Sequence, residues 1–231
     1  MYQSWRSLLF AHWRVDPERI QRTLPPGLKV DTFGGDAYVG IVPFFMRNIR
    51  PWWSPCVPGF SNFLELNVRT YVHDAAGTPG VWFYSLDCNQ RLAVWGARTF
   101  YHLPYRNAVM SATTSSDATG DTIDYRSQVA RTELRGNVRY KLGREERDSV
   151  PSSLEFFLVE RYVLFAAARG GRLFTGQVYH KPYPIVATMV EAWQSNLLTV
   201  HDFGLDESKP DLIHGTPGVD VEVFALEPCD R

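Results

Sequence analysis

Short strand-like runs joined by glycine and proline constrain this chain more than any other feature of its sequence. Lys29–Phe33, Ala37–Phe45, Phe63–Val72, Val81–Asp87 and Arg98–Leu103 succeed one another, and Gly34-Gly35 and Gly77-Thr78-Pro79-Gly80 mark two of the joins. Parallel strands need long, usually helical crossovers, so this spacing selects antiparallel hairpins and meanders. The pattern resumes with Tyr162–Ala168, a turn at Gly170-Gly171, Leu173–His180, Ala187–Trp193 and a final strand at Val219–Leu226. Helical signals are few. Asp16-Pro17-Glu18 starts one, with Asp as a cap, proline at the first position and an acid in the first turn, and Pro25-Pro26-Gly27 stops it. Ser152 or Ser153 caps another, running to about Glu160, with Leu154, Phe157 and Leu158 at helical spacing. Between Asn107 and Gln128 the residues are small and polar, which fits either a mobile loop or an exposed hairpin edge. The expected class is mainly β, α+β at most, with a largely antiparallel sheet and a few short peripheral helices.

A length of 231 residues without internal repeat or low-complexity tract fits one domain over 1–231. Twenty-four Lys and Arg balance 25 Asp and Glu, without long runs of one sign, so the sequence favours neither a nucleic-acid partner nor a membrane. The early apolar run Leu8–Ala11 is too short for a signal-peptide core or a span and leads into Arg14 and Asp16; the expected location is the cytoplasm. Cys56, Cys88 and Cys229 are odd in number and widely spaced, which indicates neither a disulfide framework nor a zinc knuckle. The six histidines form no His-Glu-x-x-His, and there is no Gly-x-Ser-x-Gly elbow, phosphate-binding loop or dinucleotide fingerprint. Accordingly, no metal and no cofactor are expected.

The run from Phe63 to Val72 carries the most chemistry. If it is extended, Glu65, Asn67, Arg69 and Tyr71 share one face, and Leu64, Leu66, Val68, Thr70 and Val72 the other. Such alternation is common in a half-solvated antiparallel strand. A carboxylate, an amide, a guanidinium and a phenol in sequence also form a set able to satisfy itself inside a closed sheet. There, Arg69 could fork onto a ligand carboxylate or pin Glu65, and Asn67 could orient either.

The opening segment, His12-Trp13-Arg14-Val15-Asp16 through Leu24-Pro25-Pro26-Gly27-Leu28-Lys29-Val30-Asp31, resembles the N-terminal part of the acetoacetate decarboxylase-like superfamily. With Glu65–Tyr71 and Leu86–Tyr105 it is still more similar to the YqjF-like family of uncharacterised proteins, a domain of unknown function. The resemblance implies an antiparallel sheet curled into a barrel or cone around the active site. It also implies that Arg14 and Glu65 stand where the decarboxylases keep a substrate-site arginine and glutamate. Leu86-Asp87-Cys88-Asn89 to Gly96 resembles the stretch leading to the family's paired lysines, but there this sequence departs: anchoring on Gly96 brings Pro104 and Tyr105 to those positions, and anchoring on Pro104 brings Tyr105 and Arg106.

No lysine lies between Lys29 and Lys141. Imine chemistry needs a primary amine, which neither tyrosine nor a permanently protonated arginine supplies. Imine-forming decarboxylation is therefore disfavoured unless Lys181, beside Pro182 at a strand end, reaches the cavity. The candidate residues are Glu65 and Tyr105 for catalysis and Arg14, Asn67, Arg69, Arg98, His102 and His180 for ligand binding. His102 shares a presumptive strand face with Arg98 and Phe100; His180 ends a strand and has a structural reading as well. Glu160-Arg161-Tyr162 is assigned to tying the second helix to the sheet. Trp52-Trp53, among Pro51, Pro55 and Pro58, could cover a pocket mouth, contact another copy in a homo-oligomer, or fold back on the core. The leading expectation is binding of a small polar or carboxylate-bearing metabolite, with lysine-independent enol, hydration or isomerisation chemistry if the protein is an enzyme. The alternatives are a non-catalytic ligand-binding or sensing domain, and a structural or interaction module.

Overall fold

In the computed structural model, which describes residues 1–205 and 209–229, the N-terminal segment sets the architecture. It forms strand β1 (Tyr2–Val15), in which Leu8 and Phe10 point to one side, Leu9, Ala11 and Trp13 to the other, and all five are buried. A strand buried on both faces needs a core on each. The same division runs through β3 (Ala37–Arg50), with Phe44 and Met46 opposite Val39 and Ile41, and through β4 (Phe63–His73). These strands form a wall between two apolar cores, one containing Phe10, Phe44 and Tyr71, the other Trp13, Phe45 and Tyr125.

After α1 (Pro17–Gln21), β2 (Lys29–Val30), β3 and β4 come β5 (Pro79–Cys88), α2 (Arg91–Phe100), β6 (Tyr105–Asp117), β7 (Gly120–Val129) and β8 (Arg135–Arg147). Then follow α3 (Leu154–Val159), β9 (Val163–Ala167), β10 (Leu173–His180), β11 (Ile185–Ser195) and β12 (Leu212–Pro228). The strands make one twelve-stranded sheet in the order β10-β9-β5-β6-β7-β8-β11-β12-β1-β3-β4-β2. Additional β4–β5 and β10–β12 pairings turn it back on itself. The path β12-β1-β3-β4-β5-β9-β10 returns to β12 around the first core, and β6, β7, β8 and β11 arch over the second. The pairings are antiparallel except β5–β6 and β5–β9, so the sheet is curled and mainly antiparallel, as expected.

Both expected helix starts form. Asp16 accepts from the Glu18 N–H at 2.8 Å with Pro17 in the first turn, and Ser153 accepts from the Phe156 N–H at 3.1 Å. The strand expected at Arg98–Leu103 does not. That stretch is the end of α2, capped by Gln90, after which the backbone turns through His102 at φ 51°. Arg98, Phe100 and His102 therefore share no strand face; over so few residues, strand and helical spacing overlap. Asn107–Gln128 is the hairpin of the two readings rather than the loop. Asp117 accepts from the N–H groups of Thr119 and Gly120 to close the turn, and Ile123, Tyr125 and Val129 face the second core. β1 gave no period-2 signal because both its faces are apolar, and the strand expected at Lys29–Phe33 shortens to Lys29–Val30. Among the described residues no helix is long and apolar enough to cross a membrane.

Candidate functional site

The polar face of β4 is not solvated: Glu65, Asn67, Arg69 and Tyr71 are all buried toward the first core, with Leu64, Leu66 and Val68 toward the second. Four polar side chains in such a place need partners. They find them in two separate groups.

Glu65, 3% exposed, accepts a hydrogen bond from the Tyr105 hydroxyl at 2.6 Å and another from the Asn67 side chain. Tyr105 opens β6, and its backbone carbonyl accepts from Arg98 Nε at 2.6 Å. From the second core, the buried Tyr125 hydroxyl reaches through the wall to the backbone carbonyls of Glu65 (2.8 Å) and Phe44 (3.2 Å), fixing the strand at the carboxyl-bearing residue. Burial pushes the Glu65 carboxyl up to about 7; the hydrogen bonds from Tyr105 and Asn67 hold it down, and Asp87 adds to the rise. The Tyr105 hydroxyl is pushed well above its ordinary value, first by burial and then by Glu65, and stays a proton donor. Cys88, opposite Glu65 in the β4–β5 ladder, is pushed up to about 12, chiefly by burial, and stays a thiol.

Glu65 and Tyr105 border a cavity of about 300 Å³ roofed by α2. The remaining wall is almost wholly apolar, with Trp5, Met46, Phe63, Phe83 and Leu164 prominent, and among the described residues no arginine, lysine or histidine borders it. Gly96 of α2 borders it as well, and a Cβ there would meet open space.

Arg69 and Tyr71 serve the second group. Arg69 Nη2 donates to the Tyr71 hydroxyl (3.2 Å) and the Leu158 carbonyl (3.1 Å); the Tyr71 hydroxyl donates to the same carbonyl at 2.6 Å and pairs with His12 Nε2 at 2.7 Å. A cation beside free carbonyls at the end of α3 is a favourable placement. Arg69 thus binds the helix and not Glu65. Arg161 donates to Asp31 (2.8 Å) and the Phe157 carbonyl, while Glu160 accepts from the Tyr162 hydroxyl and the Tyr183 N–H, so this segment does tie α3 to the sheet.

The remaining expected ligands lie away from the cavity. Arg14 is on the surface, paired with Asp36 at 3.0 Å. Arg98 is exposed and reaches the site only through the Tyr105 carbonyl. His102 packs on Phe174 and lines a separate outer groove. His180 is buried between Tyr162 and Tyr183, its Nδ1 paired with the Lys181 carbonyl at 2.7 Å, and burial lowers its pKa; Trp5 lies between it and the cavity. Lys181 is exposed in an open groove of about 960 Å³ on the far side of β1, beside the Arg6–Asp220 pair. Sequence reasoning missed the apolar wall, the α2 roof and Tyr125; the glycine inside an otherwise helical run at Gly96 was the available signal.

The curled, mainly antiparallel sheet is a fold shared with solved structures of acetoacetate decarboxylase-like proteins. An acetoacetate decarboxylase-like enzyme from Sphingomonas wittichii RW1 superposes with a TM-score of 0.66 at 13% identity, covering 99% of this chain and 92% of that one. The enduracididine biosynthesis enzyme MppR complexed with pyruvate gives 0.66 at 16% identity, over 98% and 89%. Acetoacetate decarboxylase from Legionella pneumophila gives 0.62 at 13%, over 99% and 87%. By sequence the chain belongs to DUF2071, a family of uncharacterized conserved proteins, whose model matches residues 2–220. It is 37% identical over 227 residues to the uncharacterized protein YqjF of Bacillus subtilis (strain 168), covering 98% of this chain and 91% of that protein.

Proposed function

We propose that the protein binds a small, neutral, largely apolar carbonyl compound and moves a proton to or from the carbon beside the carbonyl, with Glu65 as acid–base and Tyr105 as the oxygen donor. The observation that carries this reading is the Glu65–Tyr105 pair at the edge of an apolar cavity, the carboxyl held near neutral by burial. A general base works best with a pKa close to the working pH. As the carboxylate takes the α-proton, the electron pair moves to the carbonyl oxygen, and the Tyr105 hydroxyl can turn to that oxygen as charge develops. Return of the proton to the same carbon gives exchange; return to a conjugated carbon gives isomerisation.

The cavity wall narrows the expected ligand. An anionic carboxylate would meet no cation there and would face Glu65, so a neutral compound fits better than the carboxylate-bearing one suggested by Arg14 and Arg69. MppR is described with pyruvate and with the condensation product of pyruvate and imidazole 4-carboxaldehyde, so another protein of this fold holds carbonyl compounds. No lysine borders this cavity, which argues against an imine route here.

The test is hydrogen–deuterium exchange in D2O, followed by NMR, on a panel of neutral methyl ketones and enones. At least one member is expected to exchange at its α-carbon, with Glu65→Gln losing the activity by about 100-fold or more and Tyr105→Phe by about 10-fold, folds intact. Saturable binding without exchange would assign the protein to the non-catalytic binders. Neither binding nor exchange across the panel would remove the reading.

A further inference from the structure

Two adjacent segments expose large apolar side chains together. The loop between β3 and β4 presents Trp52 (77% exposed), Trp53 (71%), Val57 and Phe60, and α2 presents Leu92, Trp95 (61%) and Phe100. Gln90, the α2 cap, donates to the Gly59 carbonyl at 2.8 Å, and Asn89 accepts from the Leu64 N–H at 2.9 Å, so loop and helix are held side by side. α2 turns Val94 inward and Leu92 and Trp95 outward; Trp95 and Phe100 meet edge to face, with most of both rings still in water. Monomers seldom leave so many large apolar side chains of neighbouring segments uncovered.

Charge indicates what covers it. No Asp or Glu occurs from residue 37 to 64 or from 88 to 116, whereas Arg47, Arg50, Arg91 and Arg98 lie in those stretches. None of the four forms an ion pair among the described residues: Arg47 lies over the Phe45 ring, Arg50 over the Tyr2 ring, and Arg98 donates to the Tyr105 carbonyl. The acids lining the adjoining groove are Asp220, taken by Arg6 and Ser4, and Glu222. The overall charge of −1 conceals this local excess of cations around aromatic rings. A second copy applied through a two-fold axis would set arginine against arginine. Tryptophan and arginine together match the headgroup layer of an anionic bilayer, where the ring meets the acyl boundary and the guanidinium meets phosphate.

We propose that this face docks the protein peripherally on an anionic lipid bilayer, with Trp52, Trp53, Trp95 and Phe100 entering the headgroup layer and the arginines on lipid phosphates. Phe100 belongs both to this face and to the wall of the 300 Å³ cavity. Docking does not depend on Glu65 chemistry.

The experiment is flotation of the purified protein with vesicles of phosphatidylcholine alone and of phosphatidylcholine with phosphatidylglycerol, together with quenching of tryptophan fluorescence by brominated lipid. Expected are flotation and quenching with the anionic vesicles, both weakened by salt, and a loss of about tenfold or more in binding for Trp52→Ser/Trp53→Ser/Trp95→Ser with an unchanged melting temperature. The quenching is read on the unmodified protein and needs no variant. Absence of flotation and quenching with anionic vesicles would overturn the proposal, as would a triple variant that binds like the parent. Without vesicle binding, a dimer that the triple variant converts to a monomer would assign the face to self-association, and retention on polyglutamate would assign it to an acidic protein.

Discussion

At the scale of single residues, burial moves the Glu65 carboxyl into the neutral range. Its folded-state pKa lies near 7 against an ordinary 4.5, so the folded protein holds this proton more tightly than the unfolded chain does. The contribution is therefore fully favourable below about pH 4.5 and is lost as pH rises toward 7, to a total of roughly 3 kcal/mol. Glu65→Gln should remove that slope, so that urea unfolding at about pH 5 and about pH 8 differs less in the variant than in the parent; equal slopes in both would contradict the buried, destabilised carboxylate. Tyr105→Phe takes away the first of the hydrogen bonds holding the Glu65 pKa down. Its Glu65 titration, read from the carboxyl infrared band, should move further up, and the protein should lose about 1–3 kcal/mol from the unpartnered oxygen. An unmoved midpoint would show that the 2.6 Å contact does not act on ionisation. The inward face of β4 that carries Glu65 was legible as alternation in the sequence, whereas its contact with Tyr105 depends on the pairing of β5 with β6. Arg14 was not placed correctly, because whether a side chain beside a helix start turns inward or reaches Asp36 outside depends on the neighbouring strand.

Among the elements, α2 decides how large the site is. Gly96 sits within the helix yet borders the cavity, where a larger side chain has room. Gly96→Leu should stabilise the protein by about 1 kcal/mol through helix propensity, with further gain from filling apolar space, while abolishing exchange and binding across the ketone panel. A destabilised protein that still binds would mean the cavity is not where the ligand sits. The element itself was misread. Arg98, Phe100 and His102 look alternating, and only the Gln90 cap and the turn at His102 show that the chain coils before them and reverses after. The sequence of the β6–β7 hairpin fits loop and hairpin alike for a related reason: its β6 strand, largely exposed beyond Ala108, lacks the apolar alternation that marks a half-buried strand.

For the whole molecule, the two cores share one wall. β1, β3 and β4 contribute to both, so neither core can open without exposing the other. Unfolding should be a single transition, with tryptophan fluorescence, which samples Trp5 in the first core and Trp13 in the second, coincident with loss of β-sheet circular dichroism. Two resolved midpoints would show that the wall does not couple the halves.

The sequence by itself determined the class of the molecule. Glycine and proline set the hairpin joins, period-2 alternation set which side chains of β4 share a face, and the caps at Asp16 and Ser153 set two short helices; each of these is local, acting over a few residues. The tertiary structure decided which face of β4 is enclosed, that Arg69 serves α3 rather than Glu65, that no cation among the described residues borders the cavity, and that the loop before β4 lies beside the start of α2. Those outcomes depend on pairings across the chain, β1 with β12 and β4 with β5 foremost, and on the desolvation that sheet closure imposes. No local pattern encodes burial, and burial is what gives Glu65 its chemistry.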